Sequence, residues 1–224
     1  MSILSGYPIG AKLLADLTEH GLITREQASA MTVICSSSGP LFLLGSVGSV
    51  LFSSRKAGFI LFFSHLSAIL ITAFLLRGKR GGQPDSPISL PVGKNTDAVL
   101  YSSMLSSVLS VLCVGGFIAV FYLLSQMLCD FLTLFPFFRK TPLLLSVLSG
   151  VVEMTGGCKL LSESGSPLAL PLCAFLITLG GASILMQQIA YLKKAGIPIG
   201  RFLLSKAIAS PLAFLICLLF YLFQ

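Results

Sequence analysis

Apolar residues in this chain gather into long runs instead of alternating or recurring on one helical face. About 20 such residues in a row are what a helix needs to cross a bilayer. The cleanest run is 57–76, bracketed by Arg55 and Lys56 on one side and by Arg77, Lys79 and Arg80 on the other. A second, 201–223, carries Tyr221 where an interfacial ring would sit. Two further runs are long enough but interrupted. Run 30–52 has Ser36-Ser37-Ser38-Gly39-Pro40 at its middle, and run 168–192 contains Gly180-Gly181-Ala182-Ser183. The stretch 97–135 is long for one crossing, and its Ser-rich start at 101–110 fits the interface better than the apolar run 111–128 that follows. Segment 78–96 collects Gly, Pro and flanking charge, and reads as a solvent loop.

The chain also repeats itself. Leu4-Ser5-Gly6 recurs as Leu148-Ser149-Gly150, and Gly10-Ala11-Lys12-Leu13-Leu14 recurs as Gly157-Cys158-Lys159-Leu160-Leu161. The interrupted runs follow, and then Arg55-Lys56-Ala57-Gly58 recurs as Lys193-Lys194-Ala195-Gly196. Residues 1–77 therefore make one unit: a hairpin arm, the broken span 30–52 and the whole span 57–76. Residues 141–223 make another: a hairpin at 141–164, the broken span 168–192 and the whole span 201–223, with 97–135 as the connecting span.

Composition sets the solvent. Hydrophobic residues make up 55% and charged ones 10%, with mean hydropathy +0.95, whereas soluble domains carry about a quarter charged residues. The expected fold is an all-α polytopic membrane protein. A net charge of +7 in a soluble chain would raise nucleic acid as a partner, but no basic-aromatic face exists here. In membrane proteins Lys and Arg gather on the cytoplasmic side. With 78–96 cytoplasmic and one crossing by 97–135, the basic residues divide ten inside (Lys206 among them) and five outside (Arg55, Lys56, Arg139, Lys140 and Lys159). The two units then run in opposite directions, as an inverted repeat. Were Gly115-Gly116 to split the connecting stretch into two short spans, the repeats would be parallel, and neither half would comfortably reach across.

Interruptions at membrane depth survive where they line a polar cavity or are buried in protein. Inverted repeats with broken helices are how secondary transporters build their solute sites. The candidate solute-binding residues are accordingly Ser5, Gly6 and Tyr7 in the first turn, and Ser37, Ser38 and Gly39 in the first break. Glu153, Gly156 and Gly157 stand in the second turn, with Ser183 and Gln187 at and after the second break. Glu153 is an intramembrane acid, a class that marks functional sites; pairing with Lys159 or exposure at the rim is the competing explanation. Gln187 can hydrogen-bond a base or sugar, or glue helices together. Lys12 and Lys159 are expected to snorkel to headgroups, and His65 to be a hydrogen-bonded packing residue. The six cysteines, none closer than 15 residues to the next, form no metal or redox spacing. No HExxH, GxSxG or phosphate loop is present, so neither an enzyme nor a cofactor is expected.

The stretch Leu4-Ser5-Gly6-Tyr7-Pro8-Ile9-Gly10-Ala11-Lys12, then Gly21-Leu22-Ile23-Thr24 and Ser38-Gly39-Pro40-Leu41-Phe42, resembles the sporulation integral membrane proteins of YlbJ type. Ser149-Gly150, Glu153 and 156–161 extend the likeness over nearly the whole chain. That family carries the nucleoside-recognition, or Gate, domain, which is similar to the core of concentrative nucleoside transporters. The resemblance implies a multi-pass protein of the cell membrane of an endospore-forming bacterium, acting in spore cortex formation. Its expected partners are membrane lipid, a small polar or nucleoside-like solute, a coupling ion, and a second copy or a missing N-terminal half. The alternative is a non-transporting scaffold or signalling protein of cortex assembly. Family members are longer at the N-terminus, and the first unit begins three residues before its own Leu4-Ser5-Gly6. The expectation is a C-terminal portion of a longer design.

The orientation predicts a labelling pattern. A membrane-impermeant thiol reagent applied outside should modify Arg139→Cys and spare Pro84→Cys; the reverse pattern overturns the topology.

Overall fold

The computed structural model describes residues 2–77 and 96–223. Apart from Thr96, the expected solvent loop 78–96 lies outside them. Two short helices, α1 (Ser2–Ser5) and α2 (Ile9–Glu19), form a hairpin. The next pair is α3 (Arg25–Cys35) and a π-wound helix, π1 (Leu41–Leu51), followed by the whole helix α4 (Arg55–Leu75). After α5 (Thr96–Thr133) and the single turn α6 (Pro136–Arg139) the same order recurs. It comprises a hairpin of α7 (Pro142–Val152) and α8 (Met154–Glu163), a broken pair of α9 (Ala169–Leu179) and α10 (Gly181–Lys194), and a whole helix, α11 (Gly200–Leu222). The described residues are helical with no strand among them. Among the described residues, four stretches are long and apolar enough to cross a membrane: α4, Leu100–Thr133 of α5, α9 and α10 taken together, and α11. The chain is an all-α membrane protein.

Each start and stop has a local cause. Helix α3 begins at Arg25, ahead of the apolar run at 30, because Thr24 and Gln27 form a reciprocal capping box: Gln27 N–H donates to Thr24 Oγ1 (3.2 Å) and Thr24 N–H to Gln27 Oε1 (3.0 Å). Hydropathy alone does not register a helix start made of polar residues. At the first break Pro40 offers no N–H to the carbonyl four residues back, that of Ser36. At the second, Gly180 (φ +93°) and Gly181 (φ +63°) turn left-handed in succession and end α9.

The hairpin tips rest on these breaks at backbone distance. A Cβ on Gly6 (φ +75°) would stand 2.7 Å from the Gly39 nitrogen. One on Gly181 would stand 3.0 Å from the Gly150 carbonyl oxygen and 3.1 Å from Met154 N, at the second hairpin's turn. Around these contacts the main core joins Leu43 and Val47 of π1, Leu61 of α4, Cys158 and Leu161 of α8, Leu176 and Ile177 of α9, and Cys217 of α11. A second cluster, with Leu14, Ala28, Leu192 and Phe202, ties α2 and α3 to α10 and α11. All six cysteines are free thiols, four of them buried.

Helix α5 runs unbroken through Gly115-Gly116 for 38 residues, about 57 Å at 1.5 Å per residue, so the two-short-span alternative does not hold. It meets the rest of the chain along one side, through apolar side chains such as Val114 and Tyr122 and a few polar contacts. Ser125 Oγ meets Ser149 Oγ at 2.7 Å in a buried pair. Lys12 Nζ donates to Ser106 Oγ (2.7 Å) and Ser110 Oγ (2.8 Å), which replaces the expected snorkelling to headgroups. Many of its other side chains, Val111, Leu112 and Met127 among them, are exposed, as a lipid-facing surface requires.

Gly6→Ala and Gly181→Ala must each carry a strained left-handed residue into a backbone contact. Each should lose about 2 kcal/mol or more of stability. Gly115→Ala, whose Cβ meets nothing within 4 Å, should be neutral or stabilising by up to about 1 kcal/mol. Thermal melts of the purified variants check the contrast.

Candidate functional site

Both hairpin tips, the first helix break and the first turns of α10 line one cavity of about 290 Å³. The first hairpin tip contributes Ser5, Gly6 and Tyr7, and the first break Ser38, Gly39 and Phe42. The second hairpin tip adds Glu153, Met154 and Thr155, and α10 adds Ile184 and Gln187. Val114 and Ile118 of α5 close the apolar side. The volume sits at the small end of ligand sites, which start at roughly 300 Å³. Seven of the eleven candidate residues line it: Ser5, Gly6, Tyr7, Ser38, Gly39, Glu153 and Gln187.

The other four stand behind the wall or serve packing. Ser37 is buried, and its hydroxyl makes no hydrogen bond to protein. Ser183 is buried one helical turn from Gln187 and accepts a bond from its Nε2 at 3.3 Å. Gly157 is where α8 crosses α7, its Cα side pressed on Gly150. Gly156 N–H donates to Glu153 Oε2 at 2.7 Å.

Glu153 neither pairs with Lys159, which is exposed, nor sits at a rim. It is the N-cap of α8 and only 1% exposed. Oε1 accepts from Thr155 N–H (3.0 Å) and from its hydroxyl (2.8 Å), while Oε2 accepts from Gly156 N–H. The carboxylate thus answers the positive N-terminal end of α8 from inside the chain.

Opposite charge is handled in the same way. The break at Gly180-Gly181 leaves the carbonyls of Ile177 and Thr178 without the helical donors that would have followed, and Pro40 leaves that of Ser36 free. Lys206, on α11 and 4% exposed, gathers them: Nζ donates to Ser36 O (3.0 Å), Thr178 O (3.0 Å) and Tyr7 Oη (3.1 Å), and lies 4.5 Å from the centre of the Tyr7 ring. Tyr7 passes its own proton to Ile177 O at 3.1 Å. Its oxygen can therefore only accept from Lys206. All three partners of Nζ are acceptors, a set that suits an ammonium with three donors in use. No carboxylate is among them.

His65, on α4, joins the same network. Ser38 N–H donates to Nε2 at 3.0 Å, which makes that nitrogen the unprotonated one. Nδ1 lies 2.9 Å from Thr178 Oγ1, whose proton goes to Ala174 O at 2.8 Å, so Nδ1 carries the hydrogen and donates it. The imidazole is neutral, and both of its nitrogens are engaged. One basic side chain from each whole helix therefore reaches a break.

Once Glu153, Lys206 and His65 are satisfied, an unspent polar atom remains on the cavity wall. Gln187 is 4% exposed; its Nε2 bonds Ser183, and its Oε1 makes no hydrogen bond to protein. The cavity thus has the Gln187 amide on its lining between apolar walls, and the one acid there, Glu153, is engaged by three donors of its own chain.

Charge counting had placed Lys206 among the flanking basic residues. A lysine six positions inside an apolar run is itself a signal of an intramembrane role. Removing it leaves the split at nine against five. The Thr178 and Ser36 carbonyls had no signal beyond the breaks themselves.

The same chain is 28% identical over 239 aligned residues to the sporulation integral membrane protein YlbJ of Bacillus subtilis (strain 168), a match covering 92% of this chain and 59% of that relative. The chain is similar to a sporulation membrane protein. It spans about three-fifths of that relative's length. No family model and no solved structure matches it.

Proposed function

We propose that this chain is part of a multi-pass cell-membrane protein acting in sporulation, which binds and moves a small, uncharged polar solute through the cavity between its interruptions. The observation that carries the reading is one cavity lined by two hairpin tips, the first helix break and the first turns of α10 after the second break, with the Gln187 amide on its wall. Hydrocarbon penalises unpaired backbone strongly, and interruptions grouped in this way fit a solute pathway better than separate packing kinks. The recurrence of hairpin, broken pair and whole helix supports an inverted repeat, with one unit rocking against the other around the site. That is the arrangement of a Gate-domain, transporter-like core.

The chemistry narrows the solute. Glu153 on the wall disfavours anions, and three of the roughly four lone-pair positions of its carboxylate are already taken within the chain, while the Gln187 amide suits a solute that hydrogen-bonds without charge. Aliphatic walls suit a solute with one apolar face. A nucleoside-like molecule satisfies these terms, and so do other neutral polar solutes. No step here breaks or makes a covalent bond in the solute, so the role is not enzymatic. The similarity to YlbJ brings sporulation to this reading, and exposed apolar faces such as that of α5 bring lipid as its surroundings.

A second reading has support of its own. The charged groups at the breaks are satisfied within the chain, which is also what a non-transporting scaffold of spore assembly would need. Gln187→Leu separates the two. It keeps the side chain's size and removes the amide. Under the transport reading, binding or uptake of neutral polar solutes by the full-length protein in vesicles falls by about tenfold or more, sporulation fails, and the melting temperature holds. Normal sporulation by this variant, with uptake unchanged, sinks the solute site.

A further inference from the structure

We propose that Lys206 is this chain's own cation at a position built for one, so that its ammonium takes the place a bound metal ion would otherwise hold between the broken helices. The site is defined by geometry. Helices α3 and α9 both end at the interruptions, and the negative ends of their dipoles converge on Nζ. Carbonyl oxygens freed by breaks in membrane helices are the groups that coordinate sodium in transporters. Here two of them, Ser36 O and Thr178 O, lie 3.0 Å from Nζ, and the Tyr7 hydroxyl oxygen makes the third ligand at 3.1 Å. The Tyr7 ring covers the ammonium at 4.5 Å. A buried positive charge with no carboxylate among its contacts is stable only where oriented dipoles replace the counter-ion. That is the requirement of a monovalent-cation site, met here by a tethered side chain.

Two consequences follow. Because the ammonium cannot leave, the three elements it joins (the first hairpin tip and the C-terminal ends of α3 and α9) are held together whatever the external salt. Solute movement, which rests on the transport reading above, then needs no sodium. Lys206→Ala removes the stem and the charge together, and uncovers a site that a small external cation can enter.

The test is a salt series on the full chain in lipid nanodiscs, read first as melting temperature. Wild-type protein should melt alike in sodium, potassium and N-methylglucamine chloride at equal ionic strength. Lys206→Ala should melt lower by about 5 °C or more and recover part of that loss in sodium or n-propylammonium chloride, with none in N-methylglucamine. Lys206→Met, which fills the space without charge, should melt low and gain from no salt. Sodium-specific stabilisation of the wild type, or a Lys206→Met as stable as wild type, overturns the proposal. The wild-type arm decides even if both variants misfold. Uptake is measured alongside. If no solute is moved but the melting pattern holds, the transport reading fails and the cation assignment stands. If uptake occurs and collapses without sodium, the assignment fails and the transport reading stands.

Discussion

A helix that stops inside a membrane exposes carbonyl oxygens that neither lipid nor its own chain can pair, and the rest of this fold is arranged around that cost. Each unpaired polar group buried in an apolar medium costs on the order of 1–3 kcal/mol. This chain interrupts itself at Ser36–Pro40 and at Gly180, with hairpin turns at Gly6 and Glu153 packed beside them. Lys206 answers the carbonyls of both breaks with one ammonium, and Tyr7 takes a further one. His65 ties the amide of Ser38 in the first half to the hydroxyl of Thr178 in the second. Without these contacts the two halves would meet across unsatisfied backbone.

The price of holding an interruption open is what makes the cavity informative. Glu153 saturates the amide end of α8, and Lys206 saturates the carbonyl ends of α3 and α9. The cavity between them therefore has charged groups in its surroundings and little free charge on its surface. Gln187 Oε1 is buried at that wall without a protein partner.

Much of this was legible in the residue order. Apolar run lengths placed α4, α9 with α10, and α11 to within two residues, because a span is set by side chains alone. Pro40 and the Gly180-Gly181 pair marked both breaks, since each removes a local means of continuing a helix. What stayed hidden depends on partners far apart in the chain. Lys206 looked like one more flanking charge until Ser36, 170 residues away, was brought to it. Glu153 was visible as an intramembrane acid, but its role as the cap of α8 depends on a turn geometry that composition does not encode. Lys12 looked like a headgroup anchor and instead bonds α5.

The central claim is that the interruptions enclose a polar cavity within a membrane-embedded fold. It is tested most directly by thiol accessibility in intact membranes, in a chain whose six native cysteines are replaced by alanine. Gln187→Cys, on the cavity wall, should react with a small charged methanethiosulfonate reagent and be protected by a bound neutral solute. Leu192→Cys, on the same helix but wholly buried in the core, should stay unreacted. An inert Gln187→Cys, or equal labelling of the two positions, would contradict the account.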